Sequence, residues 1–112
     1  MNAATTEIAA IMAAWAEGKP RVRRLWLFGS RVDATQGGGS DVDVAVEIEP
    51  VADSEESLVV WLNNGERWRS ELEQQIGLAV HLQWFDPDGS TPEVRGALRE
   101  ASVLVYDRAG AT

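Results

Sequence analysis

The residues with the most chemical potential in this chain are Gly29-Ser30 and, after an interval of ten residues, Asp41-Val42-Asp43. Side chains two apart on a strand point the same way, so Asp41 and Asp43 would project from one face roughly 7 Å apart at their bases. Two carboxylates so placed repel each other, and no Lys or Arg adjoins them in sequence. A divalent cation between them would relieve that. Mg²⁺ typically takes one or two protein carboxylates and fills its octahedron with water and substrate phosphates. The Gly-Ser turn supplies backbone N–H groups and a hydroxyl where a phosphate could sit, and Arg31 directly behind adds charge. Each part alone is common, since an Asp-x-Asp pair on a strand is most often a solvated face and Gly-Ser a frequent turn. Their placement carries the weight.

That placement follows from the flanking elements. Val22 to Phe28 is rich in β-branched and aromatic residues and predicts a strand that Gly29-Ser30 closes. Asp41 to Glu49 alternates strictly: Val42, Val44, Val46 and Ile48 share one face, and Asp41, Asp43, Ala45, Glu47 and Glu49 the other. The loop between them contains Gly37 to Gly39, three glycines free to take unusual backbone angles, and either closes over a bound ligand or simply links two strands. Upstream, Ile8, Ile11, Met12 and Trp15 predict a helix from Thr6 to about Glu17, capped by Thr5 or Thr6 and stopped by Gly18 and Pro20. Downstream, Asp53 and Glu56 have capping-box spacing for a second helix. Its apolar stripe reads Leu58, Trp61, Leu62, Trp68, Leu72 and Ile76, ends at Gly77, and is kinked or split at Asn63-Asn64-Gly65. A third strand spans Leu78 to Phe85, with Val80, Leu82 and Trp84 opposite His81 and Gln83. After the turn signal Asp86-Pro87-Asp88-Gly89 come a short helix, Thr91 to Ala101 with Pro92 at its first position, and a last strand, Val103 to Tyr106. The order predicts an α+β domain, an α/β-type sandwich with a central sheet, spanning residues 1–112 as one unit.

Composition excludes several classes. At 112 residues, 45% hydrophobic and 25% charged, the chain is an ordinary globular domain with room for a real core. It has no cysteine, so disulfides, thiolate zinc sites and a cysteine nucleophile are out. The apolar stretch Ile8 to Ala16 has the length of a signal-peptide core, but Glu7 precedes it and no base lies upstream, so it reads as the face of a soluble helix. No membrane partner is expected. The net charge of −8 argues against tight sequence-independent nucleic-acid binding, which depends on cationic side chains. The charge is uneven: Lys19 to Arg31 holds five bases and no acid, while Asp33 to Glu56 holds eight acids and no base. That arrangement suits an anionic ligand held through a divalent cation, although two solvated patches are the plainer reading of charge alone.

LFGSR, the ten-residue interval and SDVDVAV resemble the signature of nucleotidyltransferases related to DNA polymerase beta, and within them the minimal nucleotidyltransferase group. The likeness runs from the first helix to the closing ASVLVYD. It implies the polymerase beta-like core, a small mixed sheet with helices packed on it, acting on ATP as its Mg²⁺ complex. A nucleoside monophosphate would pass to a hydroxyl and pyrophosphate would leave. By this resemblance Asp41 and Asp43 hold a two-metal site, and Gly29 and Ser30, with Arg31 beside them, meet the triphosphate. The resemblance also implies a cytoplasmic protein and a separate, all-helical HEPN partner, the pair forming a toxin–antitoxin module in which this chain is the antitoxin and modifies a tyrosine. Homo- or hetero-oligomers are compatible with that.

One departure matters. The family places a third carboxylate on the next strand, typically in a Val-Asp-Leu, and here that strand reads Val80-His81-Leu82. A neutral imidazole can ligate a metal and can accept a proton near neutral pH, but it brings no negative charge, which leaves the second metal in doubt. Asp86, five residues on in the turn, is a poor geometric substitute. Three readings of His81 stand: a catalytic ligand or base, the mark of a weakened transferase that still binds nucleotide, or a surface histidine without a role. The corresponding functions are AMP transfer from Mg-ATP to a partner protein, or an inactive module that binds and neutralises or scaffolds a HEPN-type partner. Transfer to a small molecule such as an aminoglycoside fits less well, because it generally needs an added substrate domain. Arg21, Arg23 and Arg24 could contact phosphate, but a solvated strand edge is the simpler expectation. Trp15, Trp61 and Trp68 fall on core stripes rather than on base-stacking platforms, and parity alone does not orient Trp26 or Trp84.

Overall fold

Strict alternation in Asp41 to Glu49 produces a strand with one face for each of two packing layers, and the remaining elements assemble around it. The computed structural model describes residues 3–29, 41–49, 54–87 and 91–108. Its elements are α1 (Ala3–Glu17), β1 (Val22–Phe28), β2 (Val42–Ile48), α2 (Ser54–Ile76), β3 (Val80–Trp84), α3 (Pro92–Glu100) and β4 (Ser102–Asp107). The four strands form one mixed sheet in the order β3-β2-β1-β4, with β2 and β3 parallel and the other pairs antiparallel. The α+β architecture with three helices on a mixed sheet is the one the sequence predicts.

One face of the sheet carries the main core. Val22, Leu25 and Leu27 of β1, Val42, Val44, Val46 and Ile48 of β2, and Val80 and Leu82 of β3 are buried there. Ile8, Met12 and Trp15 of α1 and Trp68 and Leu72 of α2 pack onto them, with Trp15 and Trp68 edge-to-face at 6.0 Å. Trp84 joins this layer. The opposite face holds a smaller cluster in which Val94 of α3 packs on Phe28 and Ala45, flanked by Trp26, Phe85, Ala97 and Leu98. The orientation of Trp26 and Trp84, which parity leaves open, is therefore opposite: Trp26 faces α3 and Trp84 the main core.

Several local expectations change. The first helix begins at Ala3, so Thr5 and Thr6 lie within it rather than capping it, and Thr5 is buried. The second helix runs unbroken through Asn63-Asn64-Gly65. Asn64 Nδ2 donates to the Val60 carbonyl at 2.9 Å, and a Cβ at Gly65 would meet the Trp61 ring at 2.9 Å, so the small residue fits under the indole. Leu58 and Leu62 are not part of the buried stripe; Leu62 is 71% exposed. Ser57, Gly65, Trp68 and Leu72 are buried and Val60 and Trp61 pack against the core, so these residues set the inward face of α2, and Leu58 and Leu62 lie on its flank. The Asp53–Glu56 capping box lies outside the described side chains. Gly77 ends α2 with φ of +82° and its N–H donating to the Glu73 carbonyl at 2.8 Å, a left-handed stop that glycine adopts freely. Glu73 Oε2 in turn accepts from the Val80 N–H at 2.8 Å, tying the end of α2 to the start of β3. Among the described residues no helix is long and apolar enough to cross a membrane.

Candidate nucleotidyl-transfer site

Register brings the site together. Phe28 pairs with Asp43 across the antiparallel β1–β2 ladder, and Asp43 pairs with His81 across the parallel β2–β3 ladder. Even-register parity then places the Asp43 and His81 side chains on the α3 face, away from the valines of the main core. His81 Nδ1 stands 3.5 Å from Asp43 Oδ1. The imidazole is 64% exposed and the Asp43 side chain 28% exposed, so the pair forms an open shelf rather than a buried couple. Asp41 is exposed at the entrance to β2, where the Val42 N–H donates to the Ala79 carbonyl.

Gly29 completes the arrangement. Its φ is +82°, and a Cβ built there would lie 2.5 Å from Asp43 Oδ2, so only glycine lets the β1 turn pass so close to the carboxylate. The Gly29 N–H donates to the Ala101 carbonyl at 3.2 Å, which anchors the turn to the end of α3. One carboxylate is thus flanked by a bare backbone on one side and an imidazole on the other. Ser30, Arg31 and the Gly37–Gly39 loop lie outside the described residues.

The residues present are compatible with a cation that brings most of its own ligands. Among the described residues no three metal-ligating side chains converge. Asp43 offers hard oxygen donors, exposed Asp41 lies two residues before it, and the space that a Cβ would fill at Gly29 adjoins one of Asp43's oxygens. Such a donor set suits Mg²⁺ carried on a triphosphate better than an all-protein cage. Asp86 is excluded from this group: it sits beyond the far end of β3, buried, with its N–H donating to Thr91 Oγ1 at 2.8 Å.

The arginines expected at a solvated edge take a different role. Because β1 is an interior strand, Arg24 lies opposite Glu47 of β2 in register. Arg24 Nη1 donates to both Glu47 oxygens, at 3.2 and 3.0 Å, and its Nε meets Asp107 Oδ1 at 3.3 Å. Arg23 Nε reaches Glu47 Oε2 at 3.4 Å. Burial works to lower the Arg24 pKa, but the charge and hydrogen bonds of Glu47 and Asp107 outweigh it and raise the guanidinium above its ordinary value. Lys19 is likewise engaged, 2.7 Å from Glu71 and over the Trp15 ring. These cations of the basic segment serve the fold. Sequence carries no sign of the Arg24–Glu47 pairing, because 23 residues separate the two and only strand register joins them.

Residues 12–108 match the family model of the polymerase beta nucleotidyltransferases, and the chain belongs to that family. Solved structures of similar fold come from toxin–antitoxin complexes. One is a toxin–antitoxin with AMP-PNP, at 17% identity and a TM-score of 0.64, with 90% of this chain and 74% of that one covered. Another is a complex of the tri-AMPylated HEPN toxin of Shewanella oneidensis with an MNT antitoxin, at 14% identity and 0.59, covering 91% and 71%. A third is the toxin–antitoxin MntA-HepT, at 14% identity and 0.57, covering 92% and 72%. At these identities the likeness is one of fold. No curated protein matches the chain.

Proposed function

We propose that this protein is a minimal nucleotidyltransferase, one domain over residues 1–112, that moves AMP from Mg-ATP to a hydroxyl of a partner protein. The observation that carries this is the setting of Asp43, between the Cβ-free Gly29 turn and the His81 ring. Family membership supports the reaction class, and the AMPylated HEPN toxin seen with a similarly folded antitoxin supports a HEPN-type acceptor and an antitoxin-like role; the helical nature of that acceptor and a cytoplasmic location belong to the same proposal.

In this reading Asp41 and Asp43 hold Mg²⁺, and Gly29, Ser30 and Arg31 receive the triphosphate. Bound there, Mg²⁺ supplies charge neutralisation of the phosphates and orientation of the attacking and leaving oxygens. An acceptor hydroxyl oxygen bonds to the α-phosphorus, the α–β bridging P–O bond breaks with its electron pair, and pyrophosphate leaves. The hydroxyl proton passes to the His81 imidazole, whose Nδ1 faces Asp43 and whose Nε2 is the remaining basic position.

A second reading is favoured by the same histidine. Replacing a carboxylate by an imidazole removes a negative charge from the cation site, and a module so weakened would neutralise or scaffold its partner by binding alone. Incubation with α-labelled ATP, Mg²⁺ and a HEPN-type protein separates the two. Label on the partner with equimolar pyrophosphate supports transfer. A stable complex without label supports the binding module, and neither label nor complex removes both.

A further inference from the structure

Outside the Asp43–His81 shelf, the same face of the sheet carries a second feature. Between α3 and the strands lies a cavity of about 360 Å³, lined among the described residues by Trp26, Phe85, Arg95, Leu98, Arg99 and Ser102. Its aromatic part is a Trp26–Phe85 edge-to-face pair, with ring centroids 5.3 Å apart and planes at 80°. Leu98 adds an aliphatic wall. The Ser102 hydroxyl donates to the Leu98 carbonyl at 2.7 Å, so its proton is committed and it closes the lining rather than offering a donor. The rim is cationic: Arg95 and Arg99 are one helical turn apart on the flank of α3. Arg95 Nη2 donates to the Pro87 carbonyl at 2.5 Å, which fixes its guanidinium while leaving other N–H groups. No carboxylate is among the described lining residues.

These features specify a ligand chemistry. Two guanidinium groups call for an anion, and a carboxylate meets them in fork geometry. The rings call for an aromatic or branched apolar body. The volume is at the small end of ligand pockets, which run roughly 300–1,000 Å³, and admits one large side chain with its adjoining backbone. The cavity is close to the proposed site without being part of it. Ser102 pairs with Phe28, the partner of Asp43, and Trp26 is two residues before Phe28, roughly 7 Å along β1. Asp43 and His81 are on β2 and β3, whereas Trp26 and Ser102 are on β1 and β4.

We propose that this cavity is a docking pocket for a short acidic segment of the partner polypeptide, taking an aromatic side chain onto Trp26 and Phe85 and an adjacent carboxylate onto Arg95 and Arg99. The biological meaning rests on the proposed transfer to a protein hydroxyl: that reaction needs the acceptor polypeptide held beside the site, and an anchor one row from Asp43 does so. A nucleobase is the competing occupant. It would use the rings but carries no negative charge for two cations, since in the same reading its phosphates lie at Gly29 and Asp43.

The test is titration of the full chain, free of nucleotide and Mg²⁺, monitored by the Trp26 indole N–H resonance, which Trp26→Phe assigns. The probes are the capped dipeptides Ac-Glu-Phe-NH2 and Ac-Gln-Phe-NH2, and AMP. The Glu peptide is expected to shift the resonance saturably and to bind about tenfold more tightly than the Gln peptide. The double variant Arg95→Gln/Arg99→Gln, with its remaining spectrum unchanged, is expected to erase that difference. No saturable shift, equal binding of the two peptides, or a stronger response to AMP than to the Glu peptide would each overturn the proposal, the last assigning the cavity to a nucleotide. Without nucleotide present, failure here leaves nucleotidyl transfer standing. Absence of transfer with peptide binding intact leaves the pocket standing.

Discussion

His81 and Asp43 face each other across the parallel β2–β3 ladder, Nδ1 to Oδ1 at 3.5 Å, at the position where the resemblance leads one to expect two carboxylates. An imidazole there changes the electrostatics of the shelf. Two carboxylates at that separation would repel strongly unless a cation lay between them, whereas a carboxylate beside an imidazole is tolerable without one. In the proposed function, Asp41 and Asp43 are the described carboxylates offered to the cation.

The first consequence concerns that pair. Asp41→Ala with Asp43→Ala is expected to abolish Mg²⁺-dependent ATP binding while leaving the melting temperature unchanged or slightly raised, since it relieves like-charge repulsion between carboxylates that water reaches. Calorimetric titration and a thermal melt on one preparation check both halves. Unchanged ATP affinity would remove these residues from the site.

Gly29 and Gly77 share the same φ of +82° but differ in surroundings: a Cβ at Gly77 meets nothing within 4 Å, and one at Gly29 meets Asp43 Oδ2. Alanine at either position should cost about 1–2 kcal/mol for the left-handed backbone. Only Gly29→Ala should also displace Asp43 and weaken Mg-ATP binding. Comparing the two variants by denaturation and nucleotide titration separates the backbone cost from the site effect. Equal nucleotide affinity in both would show that the close approach has no part in binding.

Glu47 is 3% exposed and holds Arg24 and Arg23, each roughly a third exposed. Glu47→Gln keeps the volume but removes the charge, and should lower stability by about 1–3 kcal/mol, less than a fully buried pair because water reaches the arginines. Urea denaturation measures it. A change within about 0.5 kcal/mol would put this network in the class of surface pairs.

Acid should unfold the chain partly through α2. The Val80 N–H, then Arg69, hold Glu73 below its ordinary 4.5, Lys19 and then Trp15 do so for Glu71, and Arg69 for Glu66. Depressed carboxylates contribute stability that is present above the unfolded value and lost as pH falls through the folded one. The melting temperature should therefore hold near neutrality and fall below about pH 4.5, with a shallower fall in Glu73→Gln. An identical acid profile in that variant would contradict the assignment.

The candidate site is legible in sequence where one short segment contains it. The alternation of Val42 to Ile48 orients Asp41 and Asp43 by itself, and Gly29 follows a strand whose end is marked by the Gly-Ser turn. His81 stood out because its neighbours Val80 and Leu82 fix its face. What depends on which strands are neighbours was not legible. The interior place of β1 turns Arg24 from a surface cation into the partner of Glu47, and nothing in the local pattern says so. The apolar residues of α2 likewise do not all share its buried face: Ser57, Val60 and Trp61 turn to the core at the same level, which leaves Leu58 and Leu62 on the flank of the helix. The cavity under α3 joins Trp26 of β1, Phe85 after β3, and Arg95 and Arg99 of α3, and its only local trace is the four-residue spacing of the two arginines.

The most direct test is calorimetric titration of the chain with ATP, with and without Mg²⁺, for wild type and His81→Asp. The expected result is binding that requires Mg²⁺ in wild type and is tighter in His81→Asp, because the restored carboxylate adds a charged ligand beside Asp43. ATP binding that is indifferent to Mg²⁺, or no binding by either protein, would contradict the site.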